Sequence, residues 1–331
     1  MNFQGMTVAV VPPRALGDVT LYLYMAWQFR QAGAKVIFVS CTLFPARELF
    51  DWVEVKRHED VDLLLLAAEC DLLVAYFNFF IKDPELCARA LTLNNIAYVT
   101  AKKLPSSVPL EGRDAFVAGQ CFKSASVAFC KDSKSGLSMR DWIDQYLRSV
   151  YGIVPVGLDG MLCPSLKKAS DNRVLIFPTS PNSKKNYSMS GFLRLARNLA
   201  DKGWQVVFIG TPAEEQQLKS YFSGFPVFSF PNIGELTRYM AGAKAVIAND
   251  SGGGHLGSLM GLRTFTIARR SECFVWRPGF TNANMVIAPS FRFKWFGGEY
   301  IWRPFVPVSR IVRALGQSGV QSNALSQGGA S

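Results

Sequence analysis

Short apolar runs alternate along the chain with longer stretches whose apolar residues return every third or fourth position. These are the periods of buried strands and amphipathic helices. "TVAVV" (7–11) predicts a strand, "DVTLYLYMAWQFRQAG" a helix closed by Gly33, and "KVIFVS" (35–40) the next strand. "DLLVAYF" (71–77) and "IAYVT" (96–100) read as further buried strands separated by the helical "DPELCARALTL", and "LSMRDWIDQYLRSVYG" (137–152) as a helix ending at glycine. An aperiodic stretch rich in Pro and Gly follows.

The pattern then restarts. "RVLIFP" (173–178) predicts a strand, "SGFLRLARNLADKG" a helix with Gly203 at its C-cap, "WQVVFIG" (204–210) a strand, and "PAEEQQLKSYF" a helix with Pro212 in its first turn. "IGELTRYMAGA" and "GGHLGSLMGL" read as helices on either side of the strand "KAVIAND", and "RTFTIA" as the closing strand. Strands alternating with helices predict parallel, doubly wound α/β sheets. Two such runs in 331 residues predict two Rossmann-like domains, at 1–155 and 171–318. A linker at 156–170 joins them, and the polar, Gly/Ser-rich 319–331 reads as a flexible tail.

Charge divides the chain in the same place. Residues 1–165 hold 16 Lys and Arg against 17 Asp and Glu, a balance of −1; residues 166–331 hold 20 against 8, a balance of +12. The second half therefore suits an anionic small ligand, an anionic surface or nucleic acid. No compact basic stripe with interleaved aromatics supports nucleic acid. "RFKWFGGEYIWRPF", with Trp295 and Trp302, instead suits the anionic face of an inner membrane. The seven cysteines are scattered and never spaced C-x-x-C, so they read as reduced thiols with no metal site among them. No signal peptide is visible, and acidic and amide residues interrupt "VDLLLLAAECDLLVAYFNFFI", so a cytoplasmic chain, peripheral at most to the membrane, is expected.

Ligands of open parallel sheets gather in the loops that leave the carboxyl ends of strands. Four such loops carry chemistry here. In "ALGDVT", Asp18 serves either as a helix N-cap or as a base that takes a hydroxyl proton. In "FPTSPNSKKNYS", Thr179, Ser180, Ser183 and either Lys184 or Lys185 suit phosphate oxygens. In "GTPAEEQQ", Glu214 or Glu215 suits ribose hydroxyls or simply the helix dipole. In "NDSGGGHLGSLMGL", Asp250 ends a strand, and Ser251, Gly252, Gly253 and Gly254 let the backbone approach a ligand with its N–H groups exposed. His255, one of only two histidines, stands where the helix begins.

Taken together, these loops resemble glycosyltransferase family 9, the heptosyltransferase-like enzymes. The resemblance rests on Gly17 and Asp18, on Thr179, Ser180 and Lys184, on "FIGTPAEE", and above all on "YMAGAKAVIANDSGGGHLGSLMGL". It implies the glycosyltransferase-B architecture, two facing Rossmann-like domains around a central cleft. It implies inverting, metal-independent transfer of a heptose from ADP-heptose to a saccharide or glycolipid acceptor of bacterial lipopolysaccharide or a related surface glycan, by a monomer without a cofactor. Carried over by position, Asp18 would be the catalytic base. Thr179, Ser180 and Lys184 would hold the donor diphosphate, the Asp250–His255 loop the diphosphate and its sugar, and Glu214 or Glu215 the ribose. The near-neutral first half, where the family seats its acceptor, implies an acceptor less charged than inner core, or one met partly by the basic half.

Overall fold

Eleven consecutive buried residues, Val19–Phe29, occupy the first helix of the computed structural model. A helix buried on every face has no surface to give to water, so it lies at the centre of its domain. The structure describes residues 3–101, 103–104, 108, 110–166, 171–269, 271–281, 283–294 and 300–316. The tail at 319–331, the end of the expected linker (167–170) and Trp295 lie outside these residues. Two units divide the chain, residues 1–167 with 232–237, and residues 168–231 with 238–331.

In the first unit β1 (Thr7–Val11), β2 (Lys35–Val39), β3 (Val53–Lys56), β4 (Leu72–Tyr76) and β5 (Ile96–Thr100) are followed by a hairpin, β6 (Ala115–Val117) and β7 (Gln120–Phe122), and by β8 (Val127–Ala128). The sheet order is β3-β2-β1-β4-β5-β8, parallel throughout. The central helix α1 (Leu16–Gln31) follows β1, and α2 (Leu63–Glu69), α3 (Asn78–Ile81), α4 (Pro84–Thr92) and α5 (Met139–Tyr151) complete the unit. A capping box of Ser138 and Asp141 opens α5, and left-handed Gly152 closes it. Strand β3 escapes the sequence pattern because it is an edge strand: only Val53 and Val55 are buried, beside charged Glu54 and Lys56.

The aperiodic stretch expected as linker begins by docking on this unit. Gln28 exchanges two hydrogen bonds with the Val156 backbone, at 2.8 and 3.1 Å. Trp27 and Trp52 donate their indole N–H groups to the carbonyls of Gly157 and Met161. Buried amide and indole groups require such partners, and here the aperiodic chain supplies them.

The second unit repeats the plan. Strands β9 (Arg173–Phe177), β10 (Gln205–Gly210), β11 (Val227–Ser229), β12 (Ala245–Asn249), β13 (Arg263–Ile267) and β14 (Asn284–Ile287) form a parallel sheet in the order β11-β10-β9-β12-β13-β14. Helices α6 (Met189–Ala200), α7 (Glu215–Tyr221), α8 (Ile233–Met240) and α9 (Gly252–Leu259) alternate with them, and a short hairpin, β15 (Phe293–Lys294) with β16 (Tyr300–Ile301), follows β14. Ser188 caps α6, and the helix ends at Asp201, two residues before left-handed Gly203. Pro212 lies in the turn before α7, not in its first turn. The core joins Val174, Ile176, Phe192, Leu195 and Ile247 to the stacked rings of Phe208 and Phe222, 3.7 Å apart. Both domains are thus parallel-sheet α/β units.

Candidate active site

Each sheet has one place where its strand order reverses, and the crevice there is where this class of fold binds ligands. In the second unit that place lies between β9 and β12, whose neighbours in sequence go to opposite sides. The loops leaving these two strands carry Thr179, Ser180, Lys185, Asp250 and Ser251.

Asn249, fully buried at the end of β12, ties the two loops together. Its amide Nδ2 donates to the Pro178 carbonyl at 2.6 Å, and its Oδ1 accepts from the Tyr187 N–H at 2.8 Å. Arg303 braces the same loop by donating to the carbonyls of Asn186 and Ser183. Within it the Ser180 hydroxyl donates to Asn186 Oδ1 at 2.6 Å, and Thr179 is half-buried at the loop's start. Asn182 caps the single 3₁₀ turn Ser183–Lys185, which carries the two lysines. Lys184 is exposed, whereas Lys185 Nζ lies 2.7 Å from Asp250 Oδ2. Of the two candidate lysines, Lys185 thus has its ammonium beside the glycine loop.

Helix α9 opens with extended Ser251, whose side chain makes no capping bond. The first-turn amides, Gly252 among them, therefore lack intrahelical partners and stand at the positive end of the helix dipole. The glycines also have a packing role, which the sequence reading did not give them. A Cβ on Gly253 would lie 2.5 Å from the Phe177 ring, and one on Gly257 would lie 2.8 Å from Val246. One on Gly254 would press against Ala248 at 3.3 Å. The small residues bring α9 down onto β9 and β12, which sets its N-terminus at the strand ends.

His255 is buried. Burial holds its imidazole down at about 4, against the opposing pull of Asp250 and of a hydrogen bond to the Trp276 backbone. It is therefore neutral at ordinary pH, and Nδ1 has no partner. A neutral buried ring braces the loop and supplies no positive charge for phosphate. One strand away, at the end of β10, Glu214 folds back to accept from the Thr211 N–H at 2.9 Å and its hydroxyl at 2.7 Å. Glu215 is engaged by Lys219 and Ser229, which hold its carboxyl below the usual range.

In the first unit the order reverses between β1 and β4. Asp18 stands there, in the third position of α1. The N-cap is Ala15, and no side chain caps the helix, so the expectation of Asp18 as N-cap is corrected. Its half-buried carboxylate has no hydrogen-bond or ion-pair partner among the described residues, and burial pushes its carboxyl up from 3.8 to about 6. Buried Tyr22, one turn along α1, and half-buried Tyr76, which ends β4, both feel its charge. Asn78 Nδ2 donates to the Tyr76 hydroxyl at 2.7 Å. Among the described residues no cluster of three or more His, Cys, Asp or Glu is arranged to hold a metal ion, and no helix is long and apolar enough to cross a membrane.

Asn249, Arg303, Tyr76 and Asn78 escape sequence reasoning. Asn249 directly precedes Asp250 at a strand end, which is its one signal in the sequence; the others carry none that distinguishes them from ordinary loop residues.

Comparison with known proteins gives this geometry a context. Residues 157–292 match Glycosyltransferase family 9 (heptosyltransferase). No curated protein matches the sequence. Among solved structures, a family 9 glycosyltransferase from Veillonella parvula is 16% identical with a TM-score of 0.62, covering 87% of both chains. E. coli heptosyltransferase WaaC, solved with ADP, is 16% identical with a TM-score of 0.61, over 94% of this chain and 99% of that one. E. coli ADP-heptose lps heptosyltransferase II is 17% identical with a TM-score of 0.61, over 96% and 100%. At these identities the likeness is one of fold, the glycosyltransferase-B fold of two parallel-sheet α/β domains. Residues 157–292 thus match glycosyltransferase family 9 (heptosyltransferase), and almost the whole chain shares the glycosyltransferase-B fold of solved heptosyltransferases.

Proposed function

We propose that this protein is an inverting glycosyltransferase that moves a heptose from ADP-heptose to a saccharide acceptor of lipopolysaccharide or a related surface glycan. The observation that carries the reading is the uncapped N-terminus of α9 beside Lys185 at the reversal point of a basic unit. Unpaired amides, a helix dipole and an ammonium form a fixed set of donors for a diphosphate. WaaC, a protein of the same fold, is solved with ADP and with ADP-2-deoxy-2-fluoro heptose, which supports an adenosine diphosphate sugar as the donor class.

The acceptor hydroxyl attacks the anomeric carbon from the face opposite the departing diphosphate, so that configuration inverts. Asp18 accepts the hydroxyl proton as the new C–O bond forms. A base with a pKa near 6 stays ionised at neutral pH and is a stronger acceptor than an ordinary aspartate. The old C–O bond breaks toward the diphosphate, whose growing charge falls on the first-turn amides, Thr179, Ser180 and Lys185. Asp250 holds Lys185 in position, and Glu214 meets the ribose. Because these groups already supply charge stabilisation, the reaction in this reading needs neither metal nor cofactor.

The exposed aromatics Phe291 and Tyr300, beside Arg292 and Lys294, suit peripheral seating of this cytoplasmic enzyme on anionic lipid. Flotation with anionic vesicles tests that seating; a chain that stays at the bottom at low salt contradicts it. The donor is tested by thermal shift with ADP, UDP and GDP, since a ligand of the folded state stabilises it by mass action. ADP is expected to give the largest shift, and a preference for UDP or GDP contradicts the heptose donor.

A further inference from the structure

Away from the strand ends, α6 and the helix at 309–316 bound a groove of about 450 Å³. The inner faces of the two helices share one core, in which Leu195 and Leu199 of α6 lie with Ile311, Ala314 and Leu315. Half-buried Val308 and Val312 pack at the edge of that core and carry its apolar surface into the groove. Around them stand Asn198 and Lys202 from the end of α6, and Ser309 and Arg313 from the second helix, all exposed. Among the described residues these four side chains have no hydrogen-bond or ion-pair partner, so an amide, a hydroxyl and two cations are free to donate.

The charge around the groove is one-sided. Arg194 and Arg197 are exposed along α6 without an ion pair among the described residues, whereas Arg310 is held by Glu272. Helix α6 contains no acidic residue, the sequence has none from Ile301 to Ser331, and the carboxylate next to Lys202 is Asp201, the C-cap of α6. Arg194, Arg197, Lys202 and Arg313 outweigh that one acid, so the groove favours an anion. A free phosphate gains nothing from the valines, and a neutral apolar ligand gains nothing from the cations. A molecule with an anionic head and an apolar body uses both, and the volume falls in the range of small-ligand sites, about 300–1,000 Å³.

We propose that this groove is a binding site for one anionic phospholipid. Lys202 and Arg313 take the phosphate, Asn198 and Ser309 donate to its oxygens, and the first part of an acyl chain lies along Val308 and Val312. Arg194 and Arg197 meet neighbouring anionic headgroups of the same leaflet. The site shares no residue with the seating by Phe291 and Tyr300 and does not depend on the transferase reading.

The test is saturation-transfer NMR on the full chain with short-chain lipids below their micelle concentration, which reads the groove without a bilayer. Dihexanoyl phosphatidylglycerol is the anionic probe, dihexanoyl phosphatidylcholine the zwitterionic one, and inorganic phosphate the competitor. The expected result is that the phosphatidylglycerol binds through its glycerol and first acyl methylenes. Lys202→Gln with Arg313→Gln then weakens it by about tenfold or more, and the near-isosteric Val312→Thr by about threefold. Arg310→Gln, at the paired cation of the same helix, changes it less than about threefold. Binding that is absent, that ignores the double variant or that is equal for phosphatidylcholine overturns the proposal. Full displacement by equimolar phosphate does so too, because the site would then take a free anion. So does a dimer, seen by sedimentation equilibrium, that the double variant dissociates, because a second copy would then cover the groove.

Discussion

Replacing Asp18 with Asn should make the protein more stable and inactive at once. Among the described residues the half-buried carboxylate has no hydrogen-bond or ion-pair partner, and burial raises its pKa from 3.8 to about 6. Because the folded state binds this proton more tightly than the unfolded state, stability falls as pH rises from the unfolded to the folded value. Two pKa units correspond to a full cost of about 3 kcal/mol above pH 7 or so, which fades to about 0.5 kcal/mol near pH 4. Residual contact with water reduces the expected gain of Asp18→Asn to about 1–3 kcal/mol at roughly pH 8, or a few degrees in Tm. The assay is denaturant unfolding of both proteins at each pH. The difference between variant and wild type cancels every other titrating group. A gain of the same size at both pH values, or a loss at the higher one, refutes the reasoning, because only a charged carboxylate can be relieved by its removal.

Three further outcomes follow from the second unit. Lys185→Ala should weaken ADP by about tenfold or more while Lys184→Ala changes it less than about threefold, as measured by calorimetric titration. Gly253→Ala should cost about 1–3 kcal/mol in denaturant unfolding, because the new methyl meets the Phe177 ring; an unchanged midpoint contradicts that packing role. Asn249→Ala strips partners from the Pro178 carbonyl and the Tyr187 N–H and should cost about 1–3 kcal/mol, with faster amide exchange over 178–187. Slow exchange in that variant would show that Arg303 alone suffices to hold the loop.

The α/β alternation was legible because buried parallel strands such as "KAVIAND" are continuous apolar runs, and their helices carry clear stops at Gly33 and Gly152. Strands β3 and β14 were not, since each is an edge strand whose outward positions are polar or half-exposed. At the candidate site, residue type and position in the chain single out four loops but not how the side chains within them pair. Lys184 and Lys185 are equivalent in sequence, and only the cap at Asn182 and the carboxylate of Asp250 tell them apart. Glycine at 252–254 suits close approach of a ligand, and the structure adds a packing role at Gly253 and Gly254, whose missing Cβ atoms make room for Phe177 and Ala248. That distinction depends on the neighbouring strand, which no local pattern encodes. Asp18 was ambiguous between cap and base until Ala15 proved to hold the cap position.

Turnover of ADP-heptose as a function of pH, followed by ADP release in the presence of a lipopolysaccharide-core oligosaccharide mixture, tests the central claim most directly. The account predicts acceptor-dependent release that falls on the acid side with an apparent pKa near 6, as Asp18 takes up its proton, and that is lost in Asp18→Asn. Undiminished acceptor-dependent release by Asp18→Asn, with the acid limb intact, would contradict it.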